Sequence, residues 1–248
     1  MRTLEELQTT VQLCMFDLYG TIVDMQSGLT EAVRPYLQAK GWQGEPSRLV
    51  TWWRRTHFEN SMIDALLHRE HLSYREIGRI ALSYTLERAG IAHTQDEVRA
   101  LVRAIEHLKP FPDVVAALER LAQRYRLVVL SNGDPDMLEA AKPHLGVAFE
   151  RMISVASAGA FKPHVATYRT AAASVGLAPD AILFVANHAF DCVGAKAFGM
   201  ATCFVDRRRR PFGDWPYQPD LMVAHFTELA DRLLSPLPAP FPLPPGEG

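Results

Sequence analysis

Leu13-Cys14-Met15-Phe16-Asp17-Leu18-Tyr19-Gly20-Thr21 is the stretch on which the reading of this chain turns. A short apolar run stops at an aspartate, and a glycine and a threonine follow three and four residues later. The pattern predicts a buried strand that delivers one carboxylate to the edge of a sheet, where a turn exposes it. A carboxylate placed there can serve as a nucleophile.

Residues 1–10 read as a short polar helix leading into this strand. Residues 24–108 are helical in pattern throughout: Trp52, Trp53, His57, Met62, Leu66 and Leu67 recur near helical spacing, as do Ile77, Ile80, Ala81 and Tyr84. Pro110-Phe111-Pro112-Asp113 breaks the run, and Asp113 is expected to help cap the helix that follows.

Beyond that point strands and helices alternate. Strands are predicted over 127–130, 152–155, 182–185 and 202–205. Asp134-Pro135 opens one helix, Pro163 another reaching about Val175, and a third passes through Ala195 and Phe198. Alternation of this kind predicts an α/β fold, a parallel sheet with helices on both faces, and makes the helical stretch after the first strand an inserted cap. Ligands bind such sheets beyond the carboxyl ends of the strands. Asp17, Ser131, Lys162 and Asp191 all fall there, so four separate segments converge on one place.

The bulk properties narrow the function. A chain of 248 residues, 48% hydrophobic, can form one sizeable core with a smaller insertion. A net charge of -2 offers no electrostatic footprint for nucleic acid or an anionic membrane. Cys14, Cys192 and Cys203 lack metal-ligand spacing. Cys14 and Cys203 sit in apolar runs and read as buried reduced thiols, which suits the cytoplasm. No N-terminal apolar segment is long enough for a signal peptide or membrane span. There is no internal repeat. Arg207 to Arg210 read as a solvated basic loop, and the proline-dominated tail as extended or disordered.

Four motifs together resemble the haloacid dehalogenase superfamily, and within it the L-2-haloacid dehalogenases (type II), over roughly residues 11–234. Asp17-Leu18-Tyr19-Gly20-Thr21 resembles the first motif, Leu130-Ser131-Asn132-Gly133 the second and Lys162-Pro163 the third. Phe184-Val185-Ala186-Asn187-His188-Ala189-Phe190-Asp191 resembles the fourth, and Gly194-Ala195-Lys196-Ala197-Phe198-Gly199 is typical of the dehalogenase branch. The resemblance implies a Rossmann-like core of residues 1–23 and 109–235, a cap of residues 24–108 and a tail of residues 236–248. It also implies a homodimer acting on a small 2-haloacid.

Two substitutions separate the chain from the phosphatases of the superfamily. Those enzymes carry an acid two residues after the nucleophile to protonate a poor leaving group. Here that position is Tyr19, a weak acid with a reference pKa of about 10. A halide needs no proton to depart. The phosphatases also bind magnesium with a Gly-Asp pair in the fourth motif. Ala186-Asn187 stands here, and a neutral amide is a poor ligand for a hard cation. The site is therefore expected to use no cofactor and no metal.

The resemblance assigns further roles. Asp17 attacks the carbon bearing the halogen, and water then cleaves the resulting ester. Lys162 holds Asp17 ionised, and Thr21 hydrogen-bonds near its carboxylate. Ser131, Asn132 and the Leu18 amide hold the substrate carboxylate. Arg54, with Asn132 and Phe190, draws off the halide, although neighbouring Arg55 leaves the register open. Tyr168 lies close to the site. Asp191 orients or deprotonates the hydrolytic water. Tyr19, Phe58 and Tyr74 form an apolar wall.

The family's usual Ser-Ser-Asn-x-x-Asp fourth motif is altered: an alanine and a histidine replace a serine and an asparagine that help bind the water and the nucleophile. Asn187 remains as a candidate substrate contact. His188 either supplies the lost hydrogen bond or acts as the base for water, or it is a loop residue that points elsewhere. Rival readings are a hydrolase of another small carboxylate, such as a strained cyclic amino acid, a magnesium-dependent phosphatase, and a non-catalytic binding protein of the same fold.

Overall fold

The computed structural model describes residues 1–67 and 70–236. From residue 237 onward the proline-rich tail lies outside the described residues. Helix α1 (Leu4–Thr10) is closed at its start by a reciprocal Thr3–Glu6 capping box and feeds β1 (Leu13–Phe16). The strands that follow are β2 (Arg126–Ser131), β3 (Arg151–Ser154), β4 (Ile182–Ala186), β5 (Ala201–Val205) and β6 (Leu221–Val223). All six pair in parallel, in the order β3-β2-β1-β4-β5-β6. Every residue of β1, β4 and β5 is buried, as unbroken apolar strands require when helices cover both faces.

Between β1 and β2 the chain runs through α2 (Met25–Ala39), α3 (Pro46–Leu66), α4 (Tyr74–Arg88) and α5 (Gln95–Val102), then a 3-10 turn at Arg103–His107. Local chemistry sets where each starts. The Asp24 carboxylate accepts the Ser27 amide, Pro46 opens α3, Ser73 caps α4, and Thr94 with Glu97 forms a second capping box. The two chain segments that join this helical body to the sheet run side by side. Val23 bridges Pro110, the Asp24 amide donates to the Lys109 carbonyl at 2.9 Å, and the Phe111 amide to the Ile22 carbonyl at 2.9 Å.

After the helical segment come α6 (Val114–Leu121), α7 (Pro135–Ala141), α8 (Val165–Val175), α9 (Ala189–Phe198) and α10 (Phe226–Leu234). Asp113 corrects one expectation. Its side chain makes no capping bond to α6. Instead it pairs with Arg207 at 2.9 Å and accepts the amide of Phe226, the first residue of α10, at 2.7 Å. The cap therefore serves a helix more than a hundred residues away, drawn there by the Arg207 guanidinium. The helix expected at Pro163 starts at Val165, with His164 as its cap.

The chain leaves β1 for β2 on one side, and β4 lies on the other, so the carboxyl ends of β1 and β4 border the crevice where such sheets bind ligands. The Asp17 amide donates to the Val185 carbonyl at 3.0 Å, which carries the pairing one residue past β1 and fixes Asp17 at that crevice.

Candidate active site

The turn after β1 folds back on itself. The Leu18 carbonyl accepts the amides of Ile22 and Val23, and Gly20 adopts φ +88°, a left-handed conformation that favours glycine. A Cβ at Gly20 would come within 3.0 Å of His188 Cε1 and 3.2 Å of an Arg54 terminal nitrogen. Glycine thus lets an imidazole and a guanidinium from two other segments approach the turn. The same turn brings Thr21 back to Asp17. Thr21 Oγ1 donates to Asp17 Oδ2 at 2.6 Å and accepts the Asn187 amide at 2.9 Å, tying the first motif to the fourth.

Lys162 sits at the centre of a buried ionic cluster. Its Nζ donates to Asp17 Oδ1 at 2.8 Å, to Asp191 Oδ2 at 2.7 Å and to the Leu130 carbonyl at 3.0 Å, which uses all three of its protons. The loop is held in place by Asn132, whose Oδ1 accepts the Lys162 amide at 3.0 Å. Burial alone drives the Asp17 carboxyl up, but the Lys162 charge and the His188 contact outweigh it and hold Asp17 well below the usual carboxylate range. Burial works against the Lys162 charge, yet the two carboxylates keep it above its ordinary value. Asp191 is pushed up by burial and, against the pull of Lys162, by the negative charge of Asp17. The two carboxylates are thus pushed in opposite directions, Asp17 down and Asp191 up.

A cavity of about 740 Å³ opens over Asp17. Tyr19, Tyr74 and His57 stack along one wall, with Tyr19 and Tyr74 parallel at 5.5 Å and His57 4.1 Å from Tyr74. Phe58 of α3 meets Phe190 of α9 at 4.4 Å across another. His188 faces the carboxylate, its Nδ1 3.4 Å from Asp17 Oδ2. Arg54 donates to Gln26 Oε1 at 2.9 Å, and Gln26 is itself tied to the Ser47 carbonyl at 2.9 Å. Burial, with the nearby Arg208 charge, pushes the Arg54 guanidinium down to about 10. Arg55 also borders the cavity but is exposed and pairs with Glu59 at 3.0 Å, whereas Arg54 is the more buried of the two and approaches the Gly20 turn.

Asp17, Tyr19, Arg54, Phe58, Tyr74, Asn132, Lys162, Asn187, His188 and Phe190 all border this cavity, and Thr21 stands directly behind Asp17. Besides Thr21, four candidates do not line it. Ser131 is fully buried and accepts the Gly133 amide at 3.1 Å, so it shapes the turn that presents Asn132. The Leu18 side chain is fully buried, leaving only its main chain near the site. Tyr168 is fully buried and donates to Asp191 Oδ1 at 2.6 Å, so it stands behind the ionic cluster and off the cavity wall. Asp191 is fully buried, with one oxygen accepting from Tyr168 and the other from Lys162, and does not line the cavity.

Several cavity residues had no warning in the sequence. His57 read as one apolar-spaced position among others. In the structure both its ring nitrogens lack a hydrogen-bond partner, and burial pushes it down to about 3, so it is neutral. Gln26 carried no motif. The basic run is exposed from Arg208 to Arg210, as expected of a solvated loop, while Arg207 departs from that reading: it is clamped to Asp113 and lies 4.0 Å over the Phe111 ring. Arg207, Arg208 and Arg210 also border the cavity.

With Asp17, Asn132, Lys162 and Asn187 gathered beyond the carboxyl ends of a parallel sheet, the molecule has the build of a hydrolase of the α/β class. The chain belongs to the haloacid dehalogenase-like hydrolase family, whose model matches residues 11–199. It is 34% identical over 224 residues to (S)-2-haloacid dehalogenase H-109 of Pseudomonas putida, covering 89% of this chain and 96% of that one. Haloacetate dehalogenase H-2 of Moraxella sp. (strain B) is 32% identical over 86% of this chain and 93% of its own. Among solved structures, L-2-haloacid dehalogenase from Xanthobacter autotrophicus with chloropropionic acid covalently bound superposes with a TM-score of 0.78 at 29% identity, over 89% of this chain and 97% of that one.

Proposed function

We propose that this protein hydrolyses 2-haloacids to 2-hydroxy acids through a covalent ester on Asp17, without a metal. An oxygen of the ionised Asp17 attacks the carbon bearing the halogen. The carbon–halogen bond breaks, its electron pair leaves with the halide, and an ester forms. Water then adds to the ester carbonyl, and the bond between that carbonyl and the substrate oxygen breaks. The 2-hydroxy acid departs, Asp17 returns with one oxygen from water, and one proton is released. Because only the first step occurs at the substrate carbon, that centre inverts.

The observation that carries this reading is the environment of Asp17. Lys162 keeps it ionised, and the residue two places on is Tyr19, whose hydroxyl is buried without a hydrogen-bond partner. Burial pushes the Tyr19 phenol well above its ordinary value, so it is no proton donor at neutral pH. An oxygen leaving group would go unaided, whereas a halide departs without help. The donor set also fits a magnesium ion poorly. Asp17 Oδ2 accepts from Thr21 and faces His188 Nδ1, and the fourth-motif position that would add a second carboxylate is the amide Asn187.

Arg54, Asn132 and Phe190 form the cradle for the departing halide, and His188 takes the proton from water in the second step. The helical segment 24–108 acts as a cap over Asp17, joined to the core by two adjacent connections that bridge at Val23 and Pro110. Exposed Trp52, Ile63, Leu66, Ile80 and Tyr84 on α3 and α4 offer an apolar face for a second copy, which supports a homodimer. No helix among the described residues is long and apolar enough to cross a membrane, and the three described cysteines are buried and free, in keeping with a cytoplasmic enzyme.

Halide release over a panel of 2-haloacids, with and without EDTA, tests the proposal. Halide release unaffected by EDTA is expected. Magnesium-dependent hydrolysis of p-nitrophenyl phosphate with no halide release from any haloacid would contradict it.

A further inference from the structure

A two- or three-carbon haloacid fills little of the space over Asp17. The cavity of about 740 Å³ is the size of one that takes a drug-sized ligand, for which ~300–1,000 Å³ is usual. A smaller hollow of about 230 Å³ adjoins it, and Asn187, His188, Phe190, Arg208 and Arg210 border both.

The two arginines are placed there by a built turn. After β5, Arg207 is clamped by Asp113 and stacked on Phe111, and the Asp206 carboxylate accepts the Arg210 amide at 2.9 Å. Arg209 between them takes φ +50°, a left-handed conformation uncommon for a residue with a side chain. Arg208 and Arg210 face the cavity, and Arg209 does not border it. Among the described residues no carboxylate forms an ion pair with Arg208 or Arg210; Asp24 attracts Arg208 only at longer range. Arg208 and Arg54 stand close enough to repel each other. In a chain of net charge -2, this is a local concentration of positive charge at one cavity, and a guanidinium without an acidic partner is a ready receptor for a carboxylate.

We propose that Arg208 and Arg210 form a second anion subsite at the cavity mouth, which takes a carboxylate at the far end of the substrate and so favours 2-halo dicarboxylates. The proposal rests on the reaction assigned to Asp17. The Arg54 cradle sits deeper, beside Gly20 and His188, and takes the halide; Arg208 and Arg210 take the distal group of the same molecule. The subsite therefore acts on affinity and selectivity, and the bonds made and broken at Asp17 stay the same.

Halide release from (S)-2-chlorosuccinate and (S)-2-chlorobutyrate, which differ in the charge of the tail, tests the subsite. The wild-type protein should have the higher kcat/KM for chlorosuccinate. In Arg208→Gln that preference should fall at least ~10-fold, the loss of one charge-assisted hydrogen bond, with partial recovery in Arg208→Lys. A wild-type preference for chlorobutyrate, or a ratio unchanged in Arg208→Gln, would overturn the subsite and leave the arginines as a general attractor of anions. If the wild-type protein releases halide from chloroacetate but from neither compound, the subsite is overturned; if it releases none from any of the three, the reaction assigned to Asp17 fails, and calorimetry with succinate and butyrate judges the subsite separately. Tighter succinate binding that is lost in Arg208→Gln supports it, and equal binding of the two acids overturns it.

Discussion

His188 Nδ1 stands 3.4 Å from Asp17 Oδ2, while Lys162 Nζ takes Oδ1 of the same carboxylate at 2.8 Å. The candidate nucleophile lies between a buried ammonium with all its protons committed and an imidazole that borders the cavity. If His188 is the base for water, as proposed, its replacement by asparagine keeps a donor near Asp17 and removes that base. In His188→Asn the first-turnover burst of halide should persist, while kcat falls about 10²-fold, as for loss of a general base. An unchanged kcat would assign the base elsewhere.

Asp17 is held below the usual carboxylate range, and this gives a pH dependence with a definite sign. Its unfolded value is about 3.9, so the stabilisation from its ionised form is complete above that and is lost as pH falls through the lower folded value. The burst rate of halide release should stay flat as pH is lowered through the ordinary carboxylate range, for as long as the protein remains folded. A burst that declines with a midpoint at the reference carboxylate value would show that Lys162 does not control Asp17.

Arg54, on the cavity wall, is anchored by a neutral side chain, Gln26 at 2.9 Å. Arg54→Gln should lower kcat/KM by about 10²-fold or more, in line with removal of a preorganised stabiliser of developing charge. Gln26→Ala should cause a smaller loss, since the guanidinium remains but its orientation is relaxed. The loss should be greater for chloride than for iodide, the better leaving group. Equal losses for the two halides would argue that Arg54 binds the substrate carboxylate instead.

Tyr168→Phe removes the 2.6 Å bond to Asp191 without emptying the core. Leaving a buried carboxylate oxygen short of a donor should cost about 1–3 kcal/mol in urea unfolding. The KM for haloacid should stay at its wild-type level. A raised KM with unchanged stability would restore Tyr168 to the substrate surface.

The site was legible where chemistry follows directly on a strand. Asp17, Asn132, Lys162 and His188 each come soon after an apolar run, and a parallel sheet delivers such positions to one edge. Direction within those loops was not legible. Ser131 and Asn132 are neighbours, yet one is sealed inside and the other faces the cavity. Tyr168 and Asp191 meet only through tertiary packing. Asp113 reaches across the fold to Arg207 and α10, a partnership that local capping rules do not anticipate. Strand β6 is three residues long with Met222 exposed, too short for a period to be read. Arg208 to Arg210 are exposed as the basic run suggested, but the clamping of Arg207 by Asp113 and Phe111 depends on residues almost a hundred positions away and leaves no local mark.

The central claim is that an Asp17 oxygen ends up in the product. A single turnover of a 2-haloacid in oxygen-18 water, followed by mass spectrometry of the peptide that contains Asp17, tests it directly. The account predicts the label on the Asp17 carboxylate and unlabelled oxygen in the 2-hydroxy acid from that turnover. Label in the hydroxyl of the product, with Asp17 unlabelled, would mean that water attacks the substrate carbon itself and would contradict it.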